Sequence, residues 1–408
     1  MSSILGTVTS TTSDTSGASW ASLANMAISN VSVTSGAVQL LLFHMTCGTD
    51  ATDRAALFRL TVNGSSVGSP IAAMFCDAVD EVNGVTMAWA VDGLTGTNSF
   101  DVEWQTHGSM PAVSTSTTLT RSFQVIELTD ATLKVDVGTT SSDTATSGWS
   151  QISNMTGTFT TAANAMHLLV ACGPILADSS DAHAYLRFAV DSTLEGPVSG
   201  TWVDATESQA STSMVYAKTG LSAASHTFEL QWQEGQTSPS THTSQNRTFQ
   251  VIEITDAFSV GVNVSSTTLQ DAPASWADMT NMSGSITPTD ANSVILTLWC
   301  GTTRDGSDST SEHMIADDGT REGPNIWQFP DEFEGNPGYM LAWAKDGITG
   351  SHTFSGQWQR VSSTNRTDPQ ERRFQVIDFE GGAAPPTGGG PPVFHRTYRN
   401  ARVLSYVP

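Results

Sequence analysis

Phe123-Gln124-Val125-Ile126-Glu127 returns as Phe249-Gln250-Val251-Ile252-Glu253 and again as Phe374-Gln375-Val376-Ile377-Asp378. The first residues of these stretches stand 126 and 125 positions apart. That period is too long for a solenoid unit and suits an autonomous domain. Alternation puts Phe and Val on one face of a strand, Gln and Ile on the other. A strand apolar on both faces belongs between two layers. Arg121, Arg247 and Arg372 stand two positions before the Phe and are expected to pair with the acidic surface or a neighbouring module.

Other features keep the same period. Trp20, Trp149 and Trp276 open the units, and Cys47, Cys172 and Cys300 are each followed by glycine. The strand before each cysteine alternates: Leu41, Phe43, Met45 and Cys47, then Met166, Leu168, Val170 and Cys172, then Val294, Leu296, Leu298 and Cys300. This reading makes the three thiols equivalent, small, buried core residues. Leu40, Leu42, Leu169 and Ile295 are apolar on the opposite face, so the strand is expected to be covered on both sides. Gly93, Gly220 and Gly347 punctuate a hairpin-like pair in each unit. Asn63-Gly64, Asp191-Ser192 and Asp318-Gly319 read as tight turns. Trp104, Trp232 and Trp358 alternate in phase with core residues, and Gly356 removes one core side chain from the third copy.

The expected fold is therefore all-β: three tandem jelly-roll-like or immunoglobulin-like β-sandwich domains with a C-terminal extension. The divisions fall at 1–128, 129–256 and a divergent 257–380, then a Gly/Pro linker at 381–392 and a basic peptide at 393–408. Short joints favour a semi-rigid rod or a compact triplet. The immunoglobulin choice lacks the Cys…Trp…Cys framework, so the jelly roll is preferred.

Composition narrows the partners. Seventeen Lys and Arg against 40 Asp and Glu give a formal charge of −23. Such a field opposes binding to nucleic acid or anionic membrane. No run of about 20 apolar residues reads as a membrane span, and the opening Met1–Gly6 does not read as a secretion signal. Glycans, divalent cations and basic protein faces remain the allowed partners.

Motifs of catalysis are missing from the sequence. There is no His-Glu-x-x-His helix, no phosphate-binding loop and no nucleophile elbow. His44 and Cys47 fall on opposite faces of one strand. Past each cysteine comes an Asp-x-x-Asp pair: Asp50 and Asp53, Asp178 and Asp181, Asp305 and Asp308. Such carboxylates are either turn caps or part of a calcium site. Trp202 and Trp327 lie outside strict alternation and are candidate glycan platforms. In the tail, Phe394, Arg396, Tyr398, Arg399 and Arg402 set basic and aromatic anchors against an acidic body, which suits a docking peptide.

The stretches Gly220–Trp232 and Phe249–Glu253 resemble modules of tailed-phage structural proteins, such as capsid-decorating, fibre and tail-associated components. The resemblance implies a non-enzymatic virion protein, assembled in the host cytoplasm and displayed on the virion surface. Its partners would be other virion proteins, a host surface glycan, or further copies of itself, a trimer in the case of a fibre. The competing reading is a glycan-binding adhesin or accessory carbohydrate-binding protein. No cofactor is implied beyond the calcium alternative.

Overall fold

The computed structural model describes residues 2–48, 54–76, 82–108, 112–115, 119–176, 182–203, 210–235, 240–241, 245–255, 258–304, 310–328, 338–361, 366–367 and 370–380. The first module contains β1 (Ser3–Ser10), β2 (Ala21–Val33), β3 (Val38–Gly48), β4 (Arg54–Val62), β5 (Ile71–Cys76), β6 (Val82–Val91), β7 (Gly96–Thr106), β8 (Ser114–Thr115) and β9 (Arg121–Leu128). The second contains β10 (Ala131–Thr139), β11 (Ser150–Thr160), β12 (Met166–Leu176), β13 (Ala182–Val190), β14 (Thr193–Val203), β15 (Ala210–Lys218), β16 (Ser225–Glu234), β17 (Ser240–Thr241) and β18 (Arg247–Ile254). The third contains β19 (Phe258–Ser266), β20 (Ala277–Ile286), β21 (Val294–Arg304), β22 (Ser311–Asp317), β23 (Thr320–Gln328), β24 (Gly338–Lys345), β25 (His352–Arg360), β26 (Arg366–Thr367) and β27 (Arg372–Phe379). Among the described residues, no helix is long and apolar enough to cross a membrane.

Strand order decides between the two sandwiches. Module 1 has sheets β1-β9-β3-β6 and β2-β7-β4-β5, and modules 2 and 3 repeat both orders. Leaving out the two-residue strand, first pairs with last, second with seventh, third with sixth and fourth with fifth. That is one long antiparallel hairpin rolled over itself, a jelly roll. An immunoglobulin sandwich would not pair its first strand with its last across the whole unit.

The tight turns form as their residues require. Val190 pairs with Thr193 across Asp191 and Ser192, and Asp317 pairs with Thr320 across Asp318 and Gly319. Both turn residues have positive φ in each case, the primed geometry that matches strand twist. The glycine connections depart from expectation. β6 pairs with β3 while β7 pairs with β2 and β4, so Gly93 turns a crossover between sheets and closes no hairpin. Gly220 and Gly347 do the same, with φ of 78° and 68°.

Each sandwich encloses its own apolar interior, with Trp104, Trp232 and Trp358 fully buried inside. A fourth core joins the modules. Leu40, Leu42 and Ile126 meet Leu168, Val170 and Ile252, and these meet Leu296, Leu298 and Ile377. The three sheets that carry the Phe-Gln-Val-Ile strands thus turn their outer faces toward one common centre.

Register corrects the expected equivalence of the cysteines. Leu41 pairs with Val125, Leu169 with Val251 and Thr297 with Val376, so these three positions correspond. Counting forward, Cys172 and Cys300 correspond to His44, not to Cys47. Cys47 faces the interior of module 1, whereas Met166, Leu168 and Val170 face the shared centre on the same side as Cys172. All three thiols are free and buried. Burial pushes the Cys172 thiol up to about 11 and that of Cys300 up to about 12.

Candidate functional site

The joints between modules form a closed cycle. The side-chain amide of Gln124 clasps the main chain of Ala344: its Nε2 donates to the carbonyl at 2.9 Å and its Oε1 accepts from the amide at 2.9 Å. Gln250 clasps Ala90 at 2.7 Å in both directions, and Gln375 clasps Ala217 at 2.8 and 2.9 Å. Ala90, Ala217 and Ala344 lie on β6, β15 and β24, each at the end of its sheet. Their edge groups would otherwise be buried without partners. Module 1 thus grips module 3, module 2 grips module 1, and module 3 grips module 2.

A second ring of bonds runs alongside. Ile71 donates to the Asn246 carbonyl, Val198 to that of Glu371, and Asn325 to that of Thr120. A third involves the position shared by His44 and the two cysteines. His44 Nε2 accepts from Ala342 N at 3.1 Å, and the Cys300 thiol donates to the Val215 carbonyl at 3.7 Å. His44 must carry its proton on Nδ1 to accept there, and burial drives its pKa down to about 3.

Each motif residue now has a task. Phe and Val fill the sandwich, Ile fills the shared centre, and Gln clasps the neighbour. The closing acid caps the turn before the third strand: Glu127 accepts from Thr34 N at 2.6 Å, Glu253 from Ala162 N at 2.7 Å and Asp378 from Thr289 N at 2.9 Å. The arginines overturn the surface expectation, since Arg121, Arg247 and Arg372 are buried. They donate inward to the carbonyls of Thr12, Ser141 and Thr268 after the first strand of their own module. A guanidinium's planar fork can hold such a turn by several carbonyls at once.

A polar cleft of about 450 Å³ opens at the joint of modules 1 and 2, lined by Arg59, Ser66, Ser69, Asp136, Thr140 and Asn246 among others. Arg59 stacks over Trp20 at 4.3 Å and donates to Glu103 at 2.7 Å within its own module. Its counterpart Arg187 instead reaches across the next joint to Glu371 at 2.6 Å. Burial raises the pKa of Asp136, whose Oδ1 accepts from Gln250 at 2.8 Å. The cleft was not legible because its residues come from two modules and share no repeat.

Asp317, Asp318 and His352 bring ligand atoms within 4.8 Å of one another. Lys345 donates to Asp317 at 2.7 Å and His352 Nδ1 lies 3.0 Å from the same carboxylate. Lys345 also donates to Glu322 at 2.8 Å, so the Asp317 carboxylate is already paired within an ion-pair network. His226 and Asp191 form the matching pair in module 2 at 2.6 Å, and that hydrogen bond raises the His226 pKa.

Of the sequence-nominated residues, Asp50, Asp53, Asp178, Asp181, Asp305 and Asp308 lie outside the described residues, as do Phe394, Arg396, Tyr398, Arg399 and Arg402. In chain order the six aspartates fall between β3 and β4, β12 and β13, and β21 and β22. Trp202 is a backbone position of β14, paired with His183. Trp327 is half-buried on β23, where its amide donates to Thr46 Oγ1 of module 1 at 3.1 Å.

No known protein family and no curated relative matches the sequence. Solved structures show distant likeness. PNGF-II is 12% identical over 61% of this chain and 64% of its own, with a TM-score of 0.27. The chain thus spans less than two thirds of that protein. The ANX2 ectodomain of Arabidopsis thaliana is 9% identical over 59% and 83%, with a TM-score of 0.20. A protein described with the triple jelly roll fold and turret assembly of an archaeal virus is 9% identical over 90% and 91%, also at 0.20. At such TM-scores none of these carries a functional argument, and the jelly-roll assignment rests on strand order.

Proposed function

We propose that the chain is a non-enzymatic structural protein of a virion, a capsid decoration or short fibre that attaches to the particle and presents jelly-roll modules outward. The observation that carries this reading is the closed ring of three modules around one apolar centre. It makes a single chain behave as a covalent trimer-like block, rigid because every joint combines buried apolar surface with amide clasps. The C-terminal end of β3, the N-terminal end of β6 and the short β8 lie together at one end of module 1, where Cys47 pairs with both Asn83 and Thr115. The equivalent strand ends meet in modules 2 and 3. Such a block offers three similar module ends to a partner, and repeated weak contacts then add through effective concentration. The basic tail opposite an acidic body suits attachment.

The test is co-sedimentation of the full chain with phage particles, followed by imaging of the decorated particle. The full chain is expected to travel with particles and the chain lacking 381–408 to stay in the supernatant. A full chain that stays free of particles sinks the reading. The polar cleft at Arg59 and Asp136 favours a second function, glycan binding by an adhesin. Retention on immobilised polysaccharide, lost in Asp136→Ala with the fold intact, would select that function instead.

A further inference from the structure

One corner recurs in all three modules, built with different chemistry. Phe100 pairs with Val62, Phe228 with Val190 and Phe354 with Asp317, so Asn63, Asp191 and Asp318 correspond, as do Asn98, His226 and His352. The first set opens the turn after β4, β13 and β22. Asn63 N donates to the Ser99 carbonyl, Asp191 N to that of Thr227 and Asp318 N to that of Thr353, all at 2.8 or 2.9 Å. In return their side-chain oxygens accept from the amides of Ser99, Thr227 and Thr353 at 2.9, 2.9 and 2.8 Å. The frame is the same each time.

The second set ties this turn to the crossover loop between the sheets. In module 1, Asn98 Oδ1 accepts from Asn63 Nδ2 at 2.9 Å, and Asn98 Nδ2 donates to the carbonyls of Thr95 and Gly96 at 3.2 Å. An amide supplies acceptor and donor together at any pH. Modules 2 and 3 instead put a histidine between two acceptors. His226 Nδ1 lies 2.6 Å from Asp191 Oδ2, and its Nε2 lies 3.1 Å from the Ser222 carbonyl. The Ser222 hydroxyl is farther from Nε2, at 3.3 Å, and can turn a lone pair toward it. His352 Nδ1 lies 3.0 Å from Asp317 Oδ1 and 3.3 Å from Asp318 Oδ2, and its Nε2 lies 3.1 Å from the Thr349 carbonyl. A neutral imidazole has one N–H and meets only one of these acceptors, whereas imidazolium meets both.

The groups around each ring favour the cation. Asp191 is the charged partner of His226, and Phe159 stands opposite on β11. His167 on β12 feels the charge of His226, and is held by Glu253 of β18 at 3.3 Å, which Lys134 of β10 holds at 3.0 Å. Around His352, Asp317 also holds Lys345 of β24 at 2.7 Å, Lys345 holds Glu322 of β23 at 2.8 Å, and Ile286 stands opposite on β20. The Asp191 hydrogen bond raises the His226 pKa. Burial would lower that of His352, but its bonds to Asp317 and Thr349 outweigh burial and raise it.

We propose that His226 and His352 are proton-operated latches that fasten crossover loop to turn in modules 2 and 3, while module 1 keeps a latch that no proton opens. The loops concerned, 219–224 and 346–351, follow directly on β15 and β24, the strands whose amide clasps hold module 3 to its two neighbours. With folded pKa values above 6.5, the latches are at full strength below pH 6.5 and are lost as pH rises through the folded values. The device does not depend on a virion role.

The experiment is hydrogen exchange of the full chain read by mass spectrometry from about pH 6 to about pH 9, with rates corrected for the intrinsic effect of pH. Loops 219–224 and 346–351 are expected to lose protection across that range, and loop 92–97 to keep it. Either histidine loop behaving as loop 92–97 does overturns the proposal. A double variant, Asp318→Asn with His352→Asn, gives module 3 the Asn63 and Asn98 pair on a loop of equal length, since four residues separate Gly93 from Asn98 and Gly347 from His352. Loop 346–351 should then stop responding to pH, with loop 219–224 responding as before. A response that survives in loop 346–351 of the folded variant also overturns the proposal. Should the variant fail to fold, the comparison of the three loops in the unaltered chain decides by itself.

Discussion

His44 shows how one side chain can set an acid limit on the whole chain. It stands where the other modules carry cysteine and accepts a main-chain hydrogen bond from module 3. Its folded pKa of about 3 lies well below the 6.5 of the unfolded chain because burial disfavours the imidazolium. The unfolded state therefore binds the extra proton, and stability present above pH 6.5 is lost as pH falls toward 3. The loss attributable to His44 is on the order of 3 kcal/mol between pH 7 and pH 4. Urea unfolding of His44→Cys is expected to show a shallower acid decline by that amount. An unchanged decline would mean that His44 does not stay neutral. Packing offers a second case at Gly356, where an added Cβ would lie 2.6 Å from the Trp299 indole. Val102 occupies that place in module 1, opposite the smaller Phe43. Gly356→Val alone is expected to cost about 1–3 kcal/mol by overpacking, and Trp299→Phe in the same chain should recover most of it. Equal losses in the single and double variants would contradict this exchange of volume.

At the level of the strand, the amide clasp explains why glutamine sits in a stretch that is otherwise apolar. β6, β15 and β24 are terminal strands of their sheets, and burying a sheet edge leaves donors and acceptors to be met. Gln250→Ala would strand both the amide and the carbonyl of Ala90, at a cost of at least about 2 kcal/mol. Exposed Gln151→Ala should change stability by less than about 0.5 kcal/mol. Comparable effects from the two, read by denaturant midpoint at constant slope, would remove the clasp from the explanation. The alternation of Phe-Gln-Val-Ile-acid already announced a strand covered on two sides, and the turn dipeptides already announced their primed turns. Pattern alone left the phase of the cysteine strand undetermined. Apolar residues occupy both of its faces, so period-two reading cannot tell the sandwich interior from the shared centre. For the same reason the buried arginines read as surface groups, since their carbonyl partners are main-chain atoms with no sequence signature. The cleft at Arg59 and Asp136 was hidden because it depends on how two modules meet.

Three sheets facing one centre make the modules interdependent. Separating them would expose Leu40, Leu42 and Ile126 of the first, with their counterparts in the others, as contiguous apolar faces. Patches of that kind drive association. Covalent continuity raises the effective concentration of one module beside the next but supplies no contact of its own, the connection from β9 to β10 being only Thr129 and Asp130. A protease site inserted between Thr129 and Asp130 should therefore be cut without releasing module 1. After cleavage the pieces are expected to elute together at the 43.1 kDa of the intact chain, and to separate only in denaturant. Unfolding of the uncut chain should follow a single transition by tryptophan fluorescence and by circular dichroism, since loss of any module uncovers its two neighbours. The segment 129–256 made alone should self-associate through its exposed face, with trimers the closed arrangement that reproduces the native centre. Fragments that separate under native conditions, together with a monomeric and stable middle segment, would show that the shared core adds nothing and that the modules are independent beads.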